Sequence, residues 1–130
     1  MSRNLIECAI EAREKALAPY SGFKVGAALE SADGLVYTGC NIENASYGLS
    51  ICAERVALWK ALSEGATGFR QMAIVSDAET LTSPCGACRQ LLWEYCGDIV
   101  IHLHSLKGMD EKHRLEELFP HPFDNRSLRA

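Results

Sequence analysis

Between Leu5 and Leu17 apolar residues return at helical spacing. Leu5, Ile6, Ala9, Ile10, Ala16 and Leu17 share one side of a predicted amphipathic helix, which Pro19 stops. The period then changes to two. Phe23, Val25, Ala27 and Leu29 alternate as a strand with one face inward, and Asp33-Gly34 marks a turn into a return strand over 35–40. Helical spacing resumes at Val56, Ala57, Leu58, Ala61 and Leu62, so Cys52 is expected to open a second helix that closes near Gly65. Met72-Ala73-Ile74-Val75 is an unbroken apolar run, read as a buried strand. A third helix is predicted over 85–95, with Pro84 just ahead of it and Gly97 just past it. Ile99-Val100-Ile101-His102-Leu103 follows as a strand, completing a strand–helix–strand unit whose strands should run parallel. A short helix over 115–118 precedes a tail to Ala130. With no repeat, low-complexity segment or linker, residues 1–130 read as one α/β domain.

Chemistry enters at the starts of the second and third helices. Cys52, Cys85 and Cys88 supply three thiols, and Glu54 lies two residues beyond the first. Cys85 and Cys88, three apart, fall on one face of a first helical turn. Helix N-termini favour thiolates through the dipole and unpaired backbone N–H groups. Structural zinc sites take four protein ligands, whereas catalytic ones take three and leave a position open. Three cysteines with a nearby carboxylate therefore describe an open site with its own proton carrier, holding one zinc per chain. Three thiolates on a dication leave a net charge of about −1, which weakens the metal as a Lewis acid. Arg55 is read as a donor that draws charge off a ligand sulfur; the other reading is a solvated surface arginine. Glu54 also has a plainer reading, a first-turn acid that favours the helix dipole.

Charge and the remaining cysteines narrow the classes. A formal charge of −4 over 130 residues argues against a broad nucleic-acid surface. No apolar run is long enough to span a bilayer, and Met1-Ser2-Arg3-Asn4 does not lead into a signal-peptide core. Six cysteines are present, of which three are claimed by the metal. Cys8, Cys40 and Cys96 are left, an odd number that suits buried thiols of a cytoplasmic protein better than disulfides. His102 and His104 alternate on a separate element and are not counted among the ligands; His113 and His121 read as surface residues.

The motifs resemble the zinc-dependent nucleoside deaminases, whose signature is H-x-E followed by P-C-x-x-C. Here Cys52 stands where that signature has His. The stretches Pro19-Tyr20-Ser21-Gly22-Phe23-Lys24-Val25-Gly26-Ala27-Ala28, Asn41-Ile42-Glu43-Asn44-Ala45, Ile51-Cys52-Ala53-Glu54-Arg55 and Ser83-Pro84-Cys85-Gly86-Ala87-Cys88-Arg89-Gln90 are similar to the small homotetrameric cytidine deaminases. The resemblance implies a three-layer α/β/α sandwich with a mixed five-stranded sheet. It implies hydrolysis of cytidine and 2′-deoxycytidine to uridine and 2′-deoxyuridine in pyrimidine salvage, by attack of an activated water on C4 with loss of ammonia. Glu54 would carry the protons.

The same resemblance assigns the substrate contacts. Asn41 and Glu43, two apart on an extended segment, would face one side and hold the ribose 3′-hydroxyl; on local pattern alone Asn41 is a turn former. Phe23 would lie against the base, although its alternation also suits a core strand position. Ala53 would offer backbone contacts, and Ala45 joins the substrate-binding set. Tyr47 and Phe123 would complete the sites of neighbouring subunits in a homotetramer, with Phe123 also readable as a hydrophobic anchor. Phe119 and Pro122 depart from the family's usual tail, and Trp59 is expected at an interface. Two other functions stay open on the residues: deamination of a modified nucleoside or nucleoside antibiotic, and a zinc-stabilised interaction module.

Overall fold

Strict alternation along two strands divides the core. In the computed structural model, which describes residues 4–128, Ala27 and Leu29 of β1 (Gly26–Ser31) pack with Met72 and Ile74 of β3 (Phe69–Ser76) on one side of a sheet. Ala28, Ala73 and Val75, their neighbours in sequence, pack on the other. Helix α1 (Leu5–Arg13) covers that second side with Leu5, Cys8 and Ala9. Helices α2 (Ala53–Ser63) and α3 (Gly86–Cys96) contribute Ala57, Leu58, Ala61 and Leu92 to the first. The result is the expected three-layer sandwich. Leu58, Met72, Ile74, Leu92 and Ile101 are fully buried, each contributing roughly 1.5–3 kcal/mol of hydrophobic stabilisation. Met1 to Arg3, where no signal-peptide core was expected, and the tail's last two residues lie outside the described chain.

The sheet has five strands in the order β2-β1-β3-β4-β5, with β2 at Val36–Cys40, β4 at Val100–Ser105 and β5 at Asp110–Arg114. Neighbours run antiparallel except β3 and β4, which are parallel in the register Met72↔Ile101 and Ile74↔Leu103, as the strand–helix–strand reading requires. Gly34 (φ 90°) turns the hairpin between β1 and β2. Gly65 (φ 90°) ends α2, where Ala66 N–H donates to Ala61 O and Gly65 N–H to Leu62 O. A four-residue helix α4 (Leu115–Leu118) lies where it was expected.

Three differences from the sequence reading have local causes. Helix α1 ends at Arg13 because its last turn tightens: Lys15 donates to Ala12 O and Ala16 to Arg13 O. Leu17 then leaves the helix, exposed, and bridges to the Asn41–Glu43 segment through its own N–H and C=O. Strand β1 starts at Gly26 and not at Phe23, since Val25 N–H is taken by the Asn41 side chain. Strand β5, Asp-Glu-Lys-His-Arg, carries no apolar alternation. It is an edge strand held by its ladder to β4 and protected by charge.

Two glycines set the distance between layers. A Cβ on Gly26 would lie 2.0 Å from Ala9 O in α1, and one on Gly39 2.4 Å from Ala53 O in α2. The second contact fixes the first turn of α2 against β2, and that turn carries the chemistry. On the outer surface, exposed Trp59 and Tyr95 meet edge-to-face at 6.3 Å.

Candidate functional site

Cys52 and Cys85 occupy equivalent places, each the extended N-cap residue of its helix. Cys88 lies one turn into α3, and its backbone N–H donates to Cys85 Sγ at 3.5 Å. The sulfurs of Cys52 and Cys85 are 3.8 Å apart, and all three sulfurs lie within 4.8 Å of one another. Sulfurs about 2.3 Å from a tetrahedral zinc would be about 3.8 Å apart. The donor set, three soft thiols on two helix starts, therefore fits zinc in both spacing and chemistry. All six cysteines are free, so no disulfide competes for them.

The loop bringing Cys85 to this place is braced from both ends. Thr82 Oγ1 and Ser76 Oγ share a hydrogen bond of 2.8 Å. The Arg89 guanidinium, on the third residue inside α3 after Gly86, donates to Pro84 O (2.8 Å), Ser83 Oγ (2.8 Å) and Leu118 O (2.6 Å). Pro84 is fully buried. Arg89 thus fastens the metal-ligand loop to the end of α4. Local pattern gives no hint of this, because its partners are mostly backbone carbonyls.

Glu54, in the first turn of α2, is only 5% exposed. Burial pushes its pKa up to about 7, with the neighbouring Cys52 charge adding to the rise and Arg55 opposing it. Hydrogen bonding from Cys88 brings Cys52 down to about 6, and the Arg55 charge acts in the same direction. Cys88, the donor in that pair and buried, is pushed far upward. A bound dication reverses this, since a coordinating thiol is deprotonated. Cys96, by contrast, is raised to about 12 by burial alone, which makes it an inert thiol.

A cavity of about 270 Å³ opens beside the sulfurs. Cys52, Ala53, Glu54 and Cys85 form one wall; Phe23, Asn41 and Glu43 form the other. These expected residues do meet around the cavity, Asn41 and Glu43 both among its lining. Each is also engaged within the chain. Asn41 Oδ1 accepts Val25 N–H (2.8 Å) and its Nδ2 donates to Phe23 O (2.8 Å). Glu43 Oε1 accepts the N–H groups of Tyr20 (2.9 Å) and Ser21 (3.0 Å), and Oε2 accepts the Ser21 hydroxyl. The Ser21 hydroxyl is the foremost of the bonds holding the Glu43 carboxyl below its usual range. Val25, Ser50, Ile51, Thr82 and Ser83 complete the lining; of these, Ser50 and Thr82 fall outside every motif the sequence offered.

Four expected residues lie elsewhere. Arg55 Nε is buried without a hydrogen-bond partner, and the Arg55 charge acts on Cys52. Ala45 is exposed and off the cavity lining. Tyr47, 75% exposed, lines an adjoining hollow with Tyr20, Ser21, Glu43 and Ser50, its ring edge-on to Tyr20 at 6.1 Å. Phe123 is 59% exposed beside α3, its carbonyl accepting from Gln90 Nε2 at 2.7 Å. The histidines of the far strands have other partners: His102 pairs with Gln71, His104 with Asp110 and His113 with Glu111.

Residues 1–103 match the family described as the cytidine and deoxycytidylate deaminase zinc-binding region. The chain is 51% identical to a cytidine deaminase of Halalkalibacterium halodurans over 120 residues, covering 92% of this chain and 91% of that one. It is 48% identical to a cytidine deaminase of Sporosarcina psychrophila over 119 residues, covering 91% and 88%. Its fold superposes on the crystal structure of cytidine deaminase from Burkholderia pseudomallei with a TM-score of 0.88 at 48% identity, over 92% of this chain and 96% of that one.

Proposed function

The chain belongs to the cytidine and deoxycytidylate deaminase family, and we propose from that premise that it hydrolyses cytidine and 2′-deoxycytidine to the corresponding uridines, releasing ammonia. The observation that carries this reading is a buried carboxyl, Glu54, beside three clustered sulfurs at one wall of a cavity. Zinc held by Cys52, Cys85 and Cys88 supplies, when bound, a Lewis acid that makes water nucleophilic near neutral pH. Glu54 accepts one proton of the attacking water and passes it to the ring nitrogen beside C4, then takes the second from the new C4 hydroxyl and gives it to the departing amine. Burial suits it to this, because a carboxyl raised toward neutrality both takes and gives a proton readily. Arg55 places a positive charge beside the sulfurs, offsetting part of the thiolate charge.

At the other wall Phe23 lies against the base, the backbone of Ala53 borders it, and Asn41 and Glu43 hold the ribose 3′-hydroxyl. A carboxylate there selects nucleosides over nucleotides, because a nearby phosphate would be repelled. Ala45, Tyr47 and Phe123 stand off this chain's own cavity. Exposed Tyr47, Phe123 and Trp59 therefore support a homotetramer in which neighbouring copies complete each site. Residues 1–130 act as one domain, and the enzyme works in cytoplasmic pyrimidine salvage. Among the described residues no helix is long and apolar enough to cross a membrane. The direct test is incubation with cytidine while uridine, ammonia and bound zinc are measured on one sample. Turnover with about one zinc per chain is expected; zinc without turnover on cytidine would defeat the substrate assignment.

A further inference from the structure

The hydroxyl of Ser21 has two committed bonds. It donates to Glu43 Oε2 and accepts the N–H of Phe23 at 3.0 Å. Glu43 Oε1 already accepts two backbone N–H groups, from Tyr20 and Ser21, and no cation pairs with the carboxylate among the described residues. An ionised carboxylate offers about four lone-pair sites. Three are filled by this chain, which leaves one acceptor position, on Oε2, beside the Ser21 hydroxyl. Since the Ser21 proton is used on Glu43, neither group has a donor left for a ligand. Glu43 lines both the cavity and the adjoining hollow, and Ser21 lines the hollow; the corner they form only accepts further hydrogen bonds, which fits a sugar hydroxyl and disfavours an ether, a carbonyl or a phosphate oxygen.

We propose that Ser21 is a positioning residue for sugar recognition: by occupying Glu43 Oε2 it fixes the direction of the one free acceptor site, and so sets the preference for a substrate with a free 3′-hydroxyl. The proposal rests on the ribose-binding reading of Glu43. Ser21 also links that carboxylate to Phe23, so a purely structural role would act through the aromatic wall. A role through Phe23 weakens every cytosine nucleoside alike. A role through Glu43 weakens only those with the hydroxyl.

The test compares kcat/KM for cytidine and 3′-deoxycytidine in the zinc-loaded enzyme and three variants. Glu43→Gln comes first, and it must lower the cytidine to 3′-deoxycytidine ratio; an unchanged ratio removes the ribose-binding reading and this proposal with it. Ser21→Ala is expected to lower the same ratio about tenfold, the scale of one charge-assisted hydrogen bond. Ser21→Thr, which keeps the hydroxyl, is expected to restore most of it. If Glu43→Gln lowers the ratio while Ser21→Ala weakens both substrates equally, Glu43 keeps its role and Ser21 loses the one assigned here.

Discussion

Cys52, Glu54, Cys85 and Cys88 stand on the first turns of two helices whose inner faces are buried, whereas Ser21, Asn41 and Glu43 stand on loops among exposed neighbours. The first wall is placed by packing. Gly39 lets the backbone of α2 touch β2, Pro84 is sealed in the core, and Arg89 ties the Cys85 loop to α4. The second wall is placed by side chains bonding backbone: Asn41 to Phe23 and Val25, Glu43 to Tyr20 and Ser21. Glu54 and Cys88 sit where displacement costs core contacts, and exposed Cys85 is held through buried Pro84 and the Arg89 bonds. Groups that must admit and release a nucleoside sit where only a few hydrogen bonds of about 1 kcal/mol each need to rearrange.

If that contrast holds, damage at the two walls should differ in kind as well as size. Cys88→Ala removes a buried sulfur; bound zinc should fall to well below one per chain by metal analysis, and cytidine turnover by at least about a thousandfold. Gly39→Ala touches no ligand, yet its Cβ would meet Ala53 O at 2.4 Å and Ala57 N at 2.5 Å, backbone atoms that cannot turn aside. Thermal unfolding should show a loss of about 1–3 kcal/mol, accompanied by a lower kcat as the first turn of α2 shifts. A Gly39→Ala enzyme of unchanged stability and kcat would mean that the metal wall is not set by this contact. Asn41→Ala frees Val25 N–H and Phe23 O and should act mainly on KM, raising it roughly tenfold, with zinc content unaltered. Loss of zinc in that variant would break the separation between the walls.

The metal wall was the more legible of the two because it stands at the starts of two packed helices. Helix periodicity, Pro84, Gly65 and Gly97 locate the helix starts and ends, and three cysteines at those starts have few other uses. The parallel pairing of β3 and β4 follows from the intervening helix. Strand β5 was invisible because Asp-Glu-Lys-His-Arg has no apolar alternation and is held by ladder hydrogen bonds. The early end of α1 was hidden by Ala16, buried although it is outside the helix. At the sugar wall, Asn41 and Glu43 could be named from a motif resemblance, but their bonds to the loop before β1 join positions 16 to 23 residues apart and leave no local trace. Arg89 went unread likewise, since a guanidinium that binds backbone carbonyls has no partner pattern in sequence.

The central claim is that Glu54 does the proton transfer while the sulfurs alone hold the metal, and Glu54→Gln separates the two. Zinc per chain and kcat for cytidine should be measured on the same purified sample. About one zinc per chain is expected, with wild-type thermal stability within about 1 kcal/mol and a kcat lowered by at least about a hundredfold. A variant that keeps its zinc and deaminates cytidine at the wild-type rate would contradict that claim.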